Sequence, residues 1–350
     1  MPHATPTLPL PRFGWCCQYI PPDGHAATAK RMNPGTVTVS TLIRLDGARR
    51  VEKLDQVLRR NLQALLLQLD EVARHPPYRR LLRVNSRLLP VYTHELGRRL
   101  YQEPGIRSLV EAGLDHAGRK AIDAGIRIGL HPDQFCVLNS AHPATLKNSV
   151  DELEYHADIL RMMGLAGGWH PWGAHVNIHG GGRAEGVSGF RRGFDLLSMD
   201  ARNLLTVEND EMSYGLGDLL PLAEVVPIVL DLHHHWVKTA GEYIGADDPR
   251  IDTISQSWRG VRPVAHVSVS REDLLDGWPD DMLPDYAVLD ARGLKAKDLR
   301  AHSRRMWNHA VNRLVSEHLA WADFEVEAKA KNLAVDDLER DALRFGALSR

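Results

Sequence analysis

The chain has 350 residues, 43% of them hydrophobic and 25% charged, with a formal net charge of −2. That length suits one large α/β barrel with insertions, and the near-neutral balance excludes a global basic field, though not a local basic cleft. The three cysteines (Cys16, Cys17, Cys136) show no CxxC spacing, no apolar run approaches the roughly 18 residues of a membrane span, and the Pro-rich start MPHATPTLPLPRF is no signal peptide; the expectation is a reduced, cytoplasmic chain without membrane attachment.

In chain order, a disordered lead-in over residues 1–12 is followed by short apolar runs alternating with amphipathic ones, the signature of a parallel sheet. Strands are predicted at Phe13 to Gln18, Leu81 to Asn85, Ile126 to Leu130 and Ala174 to Ile178. Four more are predicted at Leu204 to Val207, Pro227 to Leu230, Pro263 to Val267 and Phe324 to Val326. Several are nearly continuous in Val, Ile and Leu, as strands buried on both faces are. Eight strands predict a single-domain (β/α)8 TIM barrel over residues 13–334, with residues 335–350 as a C-terminal helical tail. Leucines at helical spacing predict a helix from Arg50 to Arg74, and similar patterns predict helices at Asn148 to Met163 and Ser303 to Val315. Segments Asp133 to Ser140 and Gly180 to Gly182 are strand-end loops, and the long connection from Glu272 to Val315 implies an inserted loop.

In such a barrel the chemistry sits at the C-terminal ends of the strands. Read there, the sequence offers His94, His131, His179, Glu208, Asp231, His266 and Glu327, with the run His233 to His235 behind Asp231. These residue types bind Zn²⁺, Mn²⁺ and related ions, and several carboxylates brought together need cations to balance them. Successive side chains diverge, so one or two of His233 to His235 are ligands at most. His175 reads as a packed residue, Glu325 lies too deep to be counted, and Lys329 and Lys331 are either solvated or phosphate-facing. Phe135, from its position alone, reads as a core aromatic just past the third strand.

The segments FGWCCQY, RNLQALL, HPDQFCVLNS, NSVDELEYHADIL, VNIHGGG, LTVENDE, VLDLHHHW, SWRG, AHVSVS, LRAHS and VEAKAKNLA, in this order, resemble those of the UV damage endonucleases. The resemblance runs from Phe13 to about Ala334 and rests most on HPDQFCVLNS and LTVENDE. It implies a site for two or three divalent ions, Mn²⁺ foremost. His131, His179 and Glu208 would hold the first; Glu208, Asp231, His266 and Glu327 the second; His234 and His302 the third. It further implies a rim position for His94, a lesion-probing pair in Gln134 and Phe135, and a place near bound DNA for Trp15. The chain departs from the pattern at Ser303 and Arg304, where an acidic residue is expected after His302, at Val264, where some members carry lysine, and at Tyr19, where some carry asparagine.

The implied reaction is metal-assisted hydrolysis of damaged double-stranded DNA on the 5′ side of a lesion, with Glu208, His94, Asp231 and Glu327 as catalytic residues and Arg183, Arg191, Arg192, Arg259 and Arg304 as candidate phosphate contacts. Three rival readings use the same barrel: a metal-dependent sugar isomerase or epimerase, an iron- and oxygen-using enzyme, and a DNA-binding remnant without cleavage.

Overall fold

The structure, a computed structural model, describes residues 11–348, so the expected lead-in over residues 1–12 lies almost wholly outside the described residues. Eight short strands form a closed barrel in sequence order: β1 (Phe13–Cys16), β2 (Leu81–Arg83), β3 (Arg127–Leu130), β4 (His175–His179), β5 (Leu205–Glu208), β6 (Ile228–Asp231), β7 (Val264–Val267) and β8 (Asp323–Val326). Each pairs in parallel with its sequence neighbour, and β1 closes onto β8. All eight predicted strands are present, with ends displaced by two residues at most.

Side chains alternate across each strand, so one set faces the helices and the other the barrel interior. The outward set, including Phe13, Trp15, Leu82, Ile128, Val176, Val207, Leu230, Phe324 and Val326, joins the main apolar core under the helices. The inward set is layered. Leu81, Val229 and Val264 meet Trp258 as an apolar floor. Above it, Glu325 lies 3.2 Å from both Arg83 and His175. That layer explains Gly129: a β-carbon there would come within 2.3 Å of Glu325 Oε1 and 2.8 Å of the His175 ring. The third layer, at the mouth, is polar and is the candidate site.

The helix Gly47–Arg74 is capped by Asp46, whose carboxylate accepts from the Arg49 amide, and buries Leu54, Leu58, Leu62, Leu65 and Leu69 along one face. The second predicted helix is longer than expected, Pro143–Met162, because Pro143 supplies a favourable first position. The third differs in kind. Ser303 is drawn into backbone bonding, its N–H donating to Val269 and its carbonyl accepting from Lys329, so the helix begins only at His309, behind the Asn308 cap, and ends at His318. The β7–β8 insertion carries two short helices, Tyr286–Ala291 and Ala296–Leu299. They close a second small core of Trp236, Val237, Leu275, Leu289 and Leu299. The helix Asn332–Arg344 packs on β1 and on His309–His318, so a boundary at residue 334 falls in its first turn. Among the described residues no helix is long and apolar enough to cross a membrane.

Candidate metal centre at the barrel mouth

Strands β3 to β8 each deliver an ionisable group to the mouth, and the loop behind β7 adds His302. Donor atoms of His131, Glu208 and His266 lie within 4.8 Å of one another, as do those of Asp231, His266 and Glu327, and those of His234, His302 and Glu327. Glu208 is the hub. Its Oε2 is 3.2 Å from His131 Nε2 and 3.7 Å from His179 Nε2, while its Oε1 is 3.1 Å from His266 Nδ1 and 3.2 Å from His234 Nδ1. His179 joins through Glu208 and through its ring, 5.3 Å from that of His131.

Local sequence explains the convergence. In the Glu208–Glu211 turn, Asn209 clamps β6 by donating to the Asp231 carbonyl at 3.0 Å and accepting from the Asp231 amide at 2.9 Å. Asp210 ties the loop by accepting from the amides of Met212, Ser213 and Tyr214. Asp231 has two duties. Its Oδ1 caps the helix Leu232–Lys238 by accepting from the His234 amide at 2.6 Å, which leaves Oδ2 for the cluster. The helix then separates the three histidines by about 100° each. Only His234 faces the cluster; His233 Nδ1 bonds Ser268 at 2.8 Å, and His235 Nε2 lies 2.9 Å from Glu242.

The electrostatics are those of packed opposite charges. Burial pushes the Glu208 carboxyl up, but the surrounding histidines outweigh it and hold Glu208 well below the ordinary carboxylate range. Burial lowers His266 and His234, yet the adjacent carboxylates carry both well above an ordinary histidine. Asp231 is raised by burial, with Glu208 and Glu327 adding to the shift. The donor set fits divalent cations by a direct observation: Glu208 Oε1, Asp231 Oδ2 and His266 Nδ1 are buried and lack hydrogen-bond geometry, although Glu208 Oε1 and His266 Nδ1 face each other at 3.1 Å. Atoms of this kind need a partner, and a cation supplies one to all three.

Four participants escape a reading of strand ends. Glu325, set aside as too deep, lies 3.2 Å from His266 Nε2 and orients that ring from below. Arg83 pairs with both Glu325 and Glu327. Asn177 donates to Glu208 Oε2 at 2.5 Å. Glu211 lies 3.8 Å from His234 Nε2. Period-two spacing from His175 and His179 was available as a signal for Asn177; for Arg83 there was none.

Several expected site residues sit elsewhere. Trp15 is fully buried on the outer face of β1, beside Tyr19 and His75, because the odd-numbered residues of that strand face the helices; it presents no surface at the mouth. His94 is exposed and caps the helix Glu95–Leu100 by accepting from the Leu96 amide; the structure does not bring it to the cluster. Arg191 and Arg192 are engaged with Glu224 and Glu185, and Arg259 precedes β7 at the opposite end of the barrel, stacked on Trp169. Arg183 donates to the Ser213 carbonyl in the loop after β5. Gln134 and Phe135 lie in the loop after β3, both exposed, Phe135 at 79%; it is not a core aromatic. Cys136 turns inward toward the Ser149 carbonyl, and Asn139 ties this loop to the next by donating to the Gly180 and Gly182 carbonyls. Phe135 is thus held out on an anchored loop four residues past His131.

Residues 11–348 match the family described as UV-endonuclease UvdE. The chain is 29% identical over 331 residues to the UV DNA damage endonuclease of Deinococcus radiodurans, covering 93% of this chain and 94% of that protein. It is 24% identical over 360 residues to the UV DNA damage endonuclease of Bacillus cereus, covering 96% of each. A 30% identical match to the UV-damage endonuclease of Neurospora crassa spans 54% of this chain but only 30% of that longer protein. The crystal structure of SacUVDE superposes with a TM-score of 0.72 at 21% identity, covering 96% of this chain and 99% of that one, which supports the barrel.

Proposed function

Because the chain belongs to the UvdE family of UV endonucleases, we propose that it incises duplex DNA immediately 5′ to UV photoproducts and other helix-distorting lesions, by hydrolysis assisted by two or three divalent ions, Mn²⁺ foremost. The observation that carries this reading is the joining of a mouth cluster of histidines and carboxylates to an exposed aromatic on the adjoining loop. Divalent ions held there supply Lewis acidity toward a phosphate and bring water ionisation toward neutral pH. The remaining work belongs to the chain. Glu208, fixed by Asn177, joins the two halves of the cluster. Glu325 and Arg83 hold His266 and Glu327 from below, so the ligands keep their spacing without a substrate present. A photoproduct weakens stacking, so opening the duplex there costs less than in intact DNA. Phe135 fills the gap and Gln134 replaces lost base-edge hydrogen bonds.

The test is a plasmid nicking assay with Mn²⁺. Irradiated supercoiled DNA is expected to relax while unirradiated DNA stays closed; no relaxation under any divalent metal sinks the reading. Phe135→Ala is expected to reduce the preference for damaged over intact DNA on the order of tenfold, in line with the about 1–3 kcal/mol carried by a stacked aromatic, with bound metal unchanged. Equal loss of metal and discrimination would make Phe135 structural. Protons and cations compete for the cluster's nitrogens, and His234 and His266 hold protons more tightly than ordinary histidines. Mn²⁺ affinity is therefore expected to go on rising with pH above the ordinary histidine range of about 6.5 in calorimetric titration. Metal counting also separates the sugar isomerase or epimerase alternative, which needs fewer ions and a base acting on a carbon acid.

A further inference from the structure

The chain lacks an acidic residue after His302, yet a carboxylate reaches this corner from another strand. Glu211 follows β5 on the loop tied down by Asp210, and its side chain is only 16% exposed. Its Oε2 stands 3.8 Å from His234 Nε2. Its Oε1 stands 3.3 Å from Arg300 Nη1, in the β7–β8 insertion.

Two ring tautomers decide what faces this corner. His234 Nδ1 lies 3.1 Å from the Asn209 carbonyl, an acceptor, so in the neutral ring Nδ1 carries the proton and Nε2 is the atom left to ligate. His302 Nδ1 lies 3.0 Å from the Glu327 carbonyl, which pins its tautomer the same way. The two rings are 5.7 Å apart, centre to centre. Two imidazoles offer no negative charge, and of the Glu327 carboxylate one oxygen pairs with Arg83 while the other lies 3.8 Å from His302 Nδ1, on the side of the ring away from Nε2. Ligand atoms about 2.1 Å from a shared ion stand roughly 3–3.5 Å from each other, so a shift of a few tenths of an ångström brings Glu211 Oε2 into range of an ion on His234 Nε2.

We propose that Glu211 is the carboxylate ligand of a third divalent ion, held with Nε2 of His234 and Nε2 of His302, and that Arg300 weakens this ion by competing for the same carboxylate. The proposal rests on the multi-ion reading above. It assigns the otherwise unexplained burial of Glu211 and makes the β7–β8 insertion, through Arg300, a determinant of how many ions the mouth retains.

The experiment is calorimetric titration of the metal-free full-length chain with Mn²⁺, paired with elemental analysis after gel filtration. Wild type is expected to take three ions and Glu211→Gln two, the loss at the third step being about 100-fold or more, with the first two steps unchanged. Arg300→Gln is expected to tighten the third step about tenfold. Glu211→Asp, which keeps the charge but withdraws it, is expected to fall between and serves if the glutamine variant does not fold. Three ions with unchanged affinity in Glu211→Gln, a wild type that stops at two, or a weaker third step in Arg300→Gln would each overturn the proposal while leaving the multi-ion reading intact. A wild type that binds fewer than two ions would overturn the multi-ion reading itself.

Discussion

Glu208→Gln is expected to abolish metal-dependent nicking, with a loss on the order of 10³-fold or more, while the barrel stays folded. The carboxylate contacts His131, His179, His234 and His266 through its two oxygens, so its one charge serves four histidines at once. Glutamine keeps the shape and can still accept from Asn177, but it presents an amide where the cluster has an anion. In the metal-free chain the change also removes the main reason His266 holds its proton so tightly, since Glu208 is the largest influence opposing burial there. Metal content and turnover should therefore fall together, and circular dichroism should not change. Full nicking by this variant would mean that the ions are held elsewhere.

The largest expected stability effect lies at the other end of the barrel. Asp323 opens β8 and is the anion for three arginines: it accepts from the Arg127 guanidinium at 2.9 Å and from Arg262 Nε at 2.8 Å, and lies 3.7 Å from Arg12 Nη1. Asp323, Arg12 and Arg127 are fully buried. Burial pulls the Arg12 guanidinium down to about 10, with Asp323 opposing the shift. Asp323→Asn leaves these cations without their counter-charge and is expected to cost about 3–5 kcal/mol. That corresponds to a fall in Tm on the order of 5 °C or more in a thermal scan. The mouth is a barrel length away, so activity per folded molecule should persist. A loss below about 1 kcal/mol would mean that water reaches these guanidiniums.

Much of the fold was legible because barrel strands are short apolar runs between long amphipathic helices, and none of the eight had to be moved by more than two residues. The candidate ligand set was legible for a related reason: a residue that ends a buried strand projects into the mouth, so His179, Glu208 and Asp231 announce themselves. What was not legible depends on contacts across the barrel. Glu325 looks too deep until Arg83 and His175, more than a hundred residues away in the chain, are seen to neutralise it. Trp15 follows the alternation of its own strand, which turns it toward the helices. The helix predicted from Ser303 loses its first six residues to backbone pairing with segments its local pattern does not contain. Glu211 follows the signature glutamate of LTVENDE by three positions, but only the placement of Arg300 and His234 gives it a purpose.

If the mouth cluster cuts DNA at damage, the position of the cut shows it most directly. A 5′-labelled duplex carrying one defined photoproduct, incubated with the chain and Mn²⁺, is expected to yield a single labelled fragment ending in a 3′-hydroxyl at the phosphodiester immediately 5′ to the lesion, and none from the undamaged duplex. Fragments scattered along the strand, or equal cleavage of both duplexes, would contradict the account.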